Sequence, residues 1–194
     1  MKKIMFNDRY GLTDAVLDGR KTMTRRIVPQ SVVDNYKYYA DQTIIDAARF
    51  KIGDVVAIAQ AYKDVNCGGY PVDSRYDPFR TAYSVGSVRE SNKGWSNKMF
   101  VRADLMPHHI KITDIKVERL QDCSDDDMLK EGVFQISAPN NGIGYTFKGW
   151  TERGIECSSE TPRGAFKSLI NKVSGKGTWE KDPLVFVLEF YLLD

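Results

Sequence analysis

The sequence predicts a small α+β domain built on a mixed or barrel-like sheet. Three observations carry that expectation. The closing run from Leu184 to Leu193, with Glu189 inside it, has strand length and is rich in β-branched and aromatic residues, so it reads as a strand buried on both sides. Helical patterns occur but do not alternate regularly with strands, which argues against a doubly wound sheet. The 194 residues are 42% apolar and 28% charged. That balance lets a chain of this size bury roughly 70% of its unfolded surface without disulfide or metal staples.

In chain order, Lys3 to Phe6 is a short strand candidate ended by the turn-like Asn7-Asp8-Arg9. Leu12, Ala15 and Val16 recur at helical spacing, with Thr13 or Asp14 able to cap and Gly19 placed to end the helix. Arg20 to Arg26 follows, its two threonines alternating with larger residues as in a strand. Residues 31–50, rich in Tyr, Asp and Asn, show no assignable pattern. Lys51-Ile52-Gly53-Asp54 is a turn opening a strand through Val55 to Ile58. Ile110 to Leu120 reads as another strand, whose alternation changes phase at Thr113-Asp114 as at a bulge.

Ser124 can cap a short acidic helix, because Asp125, Asp126 and Asp127 suit the positive end of the helix dipole, and Gly132 stops it. Thr161-Pro162 starts a second helix with Phe166, Leu169, Ile170 and Val173 on one side, and Pro183 fits the first position of the closing strand. Two stretches, around 66–98 and 133–162, are rich in turn-forming residues with little periodicity. They read as loop-like insertions within one domain spanning 1–194.

Several classes of protein are excluded at this point. Even an unbroken apolar run such as Leu184 to Leu188 is far short of the ~20 residues of a membrane helix. The basic and then apolar start, Met1 to Phe6, is broken too early at Asn7-Asp8-Arg9 for a signal peptide. Cys67, Cys123 and Cys157 are odd in number and lack Cys-x-x-Cys spacing, so they read as reduced thiols of a cytoplasmic protein. The only histidines, His108 and His109, point to opposite faces if they lie on a strand, and no ligand spacing links them to a cysteine. Neither a metal nor a cofactor is expected, and no Gly-rich phosphate loop or Gly-x-Ser-x-Gly elbow is present.

The formal net charge of +2 excludes a polybasic nucleic-acid binder but hides an asymmetry. Residues 1–30 hold seven Lys/Arg against three Asp, whereas residues 121–131 hold five acids against Lys130. Arg20, Lys21, Arg25 and Arg26 beside Thr22 and Thr24 form the kind of cluster that binds oxyanions. Such a cluster also suits a solvated strand edge guarded by charge.

The order of residues sharpens this reading. Leu17-Asp18-Gly19-Arg20-Lys21-Thr22-Met23-Thr24-Arg25-Arg26 closely resembles the opening signature of the ASCH family, PUA-like domains associated with RNA. Lys51 to Asp54, Ile115 to Asp122 with the acidic helix through Glu131-Gly132, and Phe166 through Trp179 and Pro183 to Glu189-Phe190 resemble later family segments in the same order. The resemblance implies a PUA-like β-barrel with flanking helices and a cleft that takes RNA, a nucleotide or a nucleoside. Some small members hydrolyse the amide of N4-acetylcytidine with a lysine, a threonine and a glutamate, whose motif positions fall here on Lys21, Thr24 and Glu131.

Those roles make chemical sense. A desolvated lysine can act as a base, a threonine hydroxyl as nucleophile and a glutamate as proton shuttle. Arg20, Arg25 and Arg26 would hold phosphate or an oxyanion. Ala59-Gln60-Ala61-Tyr62 and Met106-Pro107-His108-His109 depart from larger members, which carry Arg-Glu-Thr-like and Met-Pro-Arg-Trp motifs there. Tyr62, Trp95, Trp150 or Tyr145 would then provide stacking rings. The structural alternatives are a phosphate-contacting Lys21, a strand-filling Thr24 and a solvated Glu131. At the level of function, ribonuclease activity and a protein-interaction module are further alternatives to ligand binding and amide hydrolysis.

Overall fold

A computed structural model describes residues 1–36, 41–61, 97–99, 101–138, 142–147 and 158–193. Its strands are β1 (Lys2–Ile4), β2 (Met23–Ile27), β3 (Val55–Ile58), β4 (His109–Arg119), β5 (Phe134–Ala138), β6 (Gly142–Thr146) and β7 (Leu184–Leu192). Its helices are α1 (Leu12–Leu17), α2 (Gln30–Tyr36), α3 (Asp41–Asp46), α4 (Asp125–Lys130), α5 (Pro162–Val173) and α6 (Thr178–Lys181). The protein is therefore α+β. Five strands form a mixed sheet in the order β1-β3-β4-β7-β2, and β5 and β6 form a separate antiparallel pair.

The chain forms two compact units, the first being Met1–Phe6, Val55–Ile110 and Leu193–Asp194. Within it β1 runs parallel to β3, with Lys3 opposite Ala57. Ala57, Val101 and Met106 form a small buried cluster. The Lys3 ammonium gathers the carbonyls of Lys98 (3.1 Å), Val101 (2.7 Å) and Met99, while Lys98 Nζ donates to the Phe6 carbonyl at 2.7 Å.

The second unit is Asn7–Asp54 with Lys111–Leu192. Here β2 pairs antiparallel with β7, setting Met23 opposite Glu189 and Ile27 opposite Val185. Val185 to Leu188 are all buried, as the continuous apolar run predicts. Thr161 caps α5 by accepting from the Gly164 N–H, and Ala165, Phe166 and Leu169 form its buried face. The Phe166 ring meets Trp179 of α6 edge-on at 6.0 Å, a burial that stabilises by about 1.5–3 kcal/mol per large side chain.

One expectation needs correction, and one unassigned stretch gains structure. Part of 133–162 is the β5–β6 hairpin, with Ile136 opposite Gly144 and a further bridge from Tyr145 to Ser159. The described residues of 31–50 include the short helices α2 and α3. Elsewhere the strand expected over Arg20–Arg26 begins at Met23, and β4 shifts its burial phase at the exposed Thr113 and Asp114. Of 66–98 only residues 97 and 98 are described. No described helix is long and apolar enough to cross a membrane.

Candidate functional site

Two glycine-ended helices in the second unit deliver the central pair. Helix α1 ends at Gly19, whose φ of +72° turns the chain so that the Lys21 N–H reaches back to the Ala15 carbonyl at 2.8 Å. Helix α4 ends at Gly132 with φ +100°, where a Cβ would lie 3.5 Å from Ala15 Cβ and 3.6 Å from Lys21 Cδ. The Thr22 N–H bonds the Lys130 carbonyl at 2.9 Å and ties the two turns together. Glu131 and Lys21, 110 residues apart in sequence, are thereby brought side by side.

Lys21 Nζ donates to Glu131 Oε2 at 2.6 Å and to the Glu131 carbonyl at 2.8 Å. The side chains of the pair are only 2% and 5% exposed. Burial pushes the Lys21 ammonium below its ordinary lysine value; Glu131 opposes that shift, while the positive charges of Arg26 and Arg25 add to it.

Arg25 completes the network from β2. One nitrogen, Nη1, donates to Glu131 Oε1 at 3.2 Å and contacts Met23 Sδ at the same distance. Nε and Nη2 fork onto Glu118 Oε1 at 3.1 and 2.7 Å, and Nη2 also reaches Asp127 Oδ2 at 3.0 Å. Burial works against the charge on Arg25, but Glu131 and Glu118 overcome it and raise its pKa. Burial likewise works against the Asp127 carboxylate, and Arg25 outweighs it, holding Asp127 below its ordinary range. Lys116 approaches Glu118 at 3.4 Å from the solvent side. Arg25 also lies over the Phe166 ring at 5.9 Å.

The expected basic segment is therefore split. Lys21 and Arg25 turn inward onto carboxylates, so Arg25 is committed to three acids rather than presented to solvent. Arg20 and Arg26 are exposed. Arg20 pairs with Asp18 at 2.8 Å and lies over the Phe134 ring at 5.2 Å. Thr24 is buried in β2, where strand alternation sends it and Arg26 to the face opposite Met23 and Arg25. No hydrogen bond joins its hydroxyl to Lys21 or Glu131.

Glu118 and Asp127 enter the site without having been singled out as site residues. The sequence places Glu118 in a strand and gives Asp127 to the helix dipole. Tyr62, Trp95 and Trp150 lie outside the described residues, as do Cys67 and Cys157. Tyr145 is half-buried on β6. Cys123 is buried, and burial pushes its thiol up to about 11, far from a reactive thiolate. Among the described residues no group of three or more His, Cys, Asp or Glu is placed to hold a metal ion.

No family model matches the chain, and no curated protein or solved structure matches it either.

Proposed function

We propose that the chain is an ASCH-type, PUA-like domain that binds RNA, a nucleotide or a nucleoside at the Gly19–Arg26 segment. The observation that carries this reading is the split of that segment. Two arginines whose residues keep surface exposure, Arg20 and Arg26, lie near the two ends of a stretch whose other cations, Lys21 and Arg25, are fixed inward onto carboxylates. Guanidiniums recognise phosphate by forked hydrogen bonds. The test is fluorescence anisotropy with labelled single-stranded RNA across a salt series. Binding should weaken as salt rises, and Arg20→Ala/Arg26→Ala should weaken it further and flatten the salt slope by about one per lost phosphate contact. Binding that the double variant leaves unchanged overturns the assignment.

A second reading, amide hydrolysis of an acylated pyrimidine nucleoside such as N4-acetylcytidine, is favoured by the buried Lys21–Glu131 contact at 2.6 Å. A lysine whose proton is loosened by burial and held beside a carboxylate suits acid–base work. Lys21 would take the Thr24 proton, the hydroxyl oxygen would attack the acyl carbon, and Glu131 would return a proton to the leaving cytosine nitrogen. Water would then release acetate from Thr24. Because Thr24 makes no hydrogen bond to Lys21 here, the first step needs the hydroxyl to come within reach as substrate binds. Incubation with N4-acetylcytidine should yield cytidine and acetate, with no product from Lys21→Ala. Absence of product from the unaltered protein overturns this reading and leaves the binding role standing.

A further inference from the structure

The acidic partners of Arg25 have no role in either reading, yet their geometry is more specific than a core ion pair requires. We infer that Arg25, aimed by Glu118 and Asp127, is a positioning residue that assigns the two oxygens of Glu131, one to itself and the other to Lys21. The inference rests on the acid–base reading of the Lys21–Glu131 pair. Arg25 offers Nη1 to Glu131 Oε1, while Nε and Nη2 are held by Glu118 Oε1 and Nη2 also by Asp127 Oδ2. The guanidinium plane is thus fixed from the side away from Glu131. With Oε1 taken at 3.2 Å, Oε2 remains for the 2.6 Å contact with Lys21.

A point charge would not do this. A lysine at position 25 would keep the positive charge but lose the rigid fork that spans three carboxylates from one residue. The anchors are the more solvent-facing members of the network: Glu118 is 16% and Asp127 15% exposed, against 5% for Glu131 and 2% for Lys21. The charged groups bearing on the pair are Arg25 from β2, Arg26 from the same strand, and beyond Arg25 the acids Glu118 and Asp127 with Lys116 beside them. Arg25 is also the group that couples the outer acids to the inner pair.

The inference has a signature that general loosening of the core lacks, namely shifts of opposite sign. In Arg25→Lys, Glu131 loses its competing fork and is drawn wholly to Lys21, so the proton on Lys21 is held more tightly. In Glu118→Gln, Arg25 loses its main outer anchor and leans onto Glu131, so the proton on Lys21 is held less tightly. Opening of the core to water would move both in the same direction, toward an ordinary lysine.

The experiment is a pH titration of the Lys21 side-chain carbon signals in the full chain labelled at lysine, assigned with Lys21→Arg. The expected result is an upward midpoint shift in Arg25→Lys and a downward one in Glu118→Gln, each of about threefold or more in proton affinity. An unchanged midpoint in Arg25→Lys, or shifts of the same sign in both, overturns the inference. Should Arg25→Lys fail to fold, the sign in Glu118→Gln decides alone, a downward shift supporting the inference and any other result overturning it. No substrate enters the measurement, so a protein that fails to deacylate N4-acetylcytidine but shows the two opposite shifts keeps the positioning role and loses only the proposed reaction.

Discussion

Two lysines show what burial does and does not accomplish in this protein. In the first unit, the Lys3 ammonium is surrounded by the backbone carbonyls of Lys98, Met99 and Val101. In the second, the Lys21 ammonium meets a carboxylate and the carbonyl of the same residue. Carbonyls stabilise a cation but cannot accept its proton at any ordinary pH, so the Lys3 cluster is a fastening. A carboxylate can exchange a proton with the amine it holds, and in a desolvated setting the two protonation states come closer in energy. The lesson is that the chemistry of a buried cation is set by the partner more than by the depth.

That contrast can be broken most sharply at Glu131. Glu131→Ala leaves Lys21 buried without its main counter-charge, and urea unfolding should show a loss of about 3–5 kcal/mol. The next effect is backbone strain. Gly132→Ala puts a side chain at φ +100° against Ala15 and Lys21, and a loss of about 1–3 kcal/mol in the same assay is expected. If the alanine variant is as stable as the parent, Gly132 does not set the approach of α4 to Lys21.

Lys3→Met removes charge-assisted bonds to carbonyls at a half-buried site, so it should cost about 1–2 kcal/mol while leaving the Lys21 titration unmoved. A shift in Lys21 would erase the distinction between fastening and reactive pair. The smallest effect concerns acid. Asp127 has its folded pKa held below the ordinary 3.8, so its stabilising contribution is present above that value and is lost as pH falls through the lower folded one. Asp127→Asn should therefore reduce stability at neutral pH by under about 1 kcal/mol, since the group is partly exposed, and flatten the acid limb of the stability curve.

Legibility followed the length and regularity of each element. Strand β7 and helix α5 were readable because an apolar run and a capped twelve-residue amphipathic pattern each carry enough repeats to overcome local noise. The β5–β6 hairpin was not. Gly142 and Gly144 supply no side chain to show alternation, and Asn140-Asn141 speak only for a turn. Helices α2 and α3 have seven and six residues, as short as α1 and α4, but lack the closing glycine that marked those two at Gly19 and Gly132.

At the candidate site, Lys21 and Glu131 could be named through a family resemblance. Their meeting depends on where α4 docks, which no local pattern in the sequence encodes. Glu118 and Asp127 were missed for a related reason. Each had a sufficient local explanation, on a strand and in a helix's first turn, and only the Arg25 fork gives them a joint one.

The 110-residue separation of Lys21 from Glu131 has a consequence in time. At ordinary rates of synthesis the lysine is made on the order of ten seconds before its carboxylate. Through that interval it is an amine without its carboxylate, and the arrival of α4 brings Glu131 against it. An amine-directed reagent should therefore mark Lys21 in nascent or denatured chains and pass it by in folded ones, so that its labelling reports completed assembly.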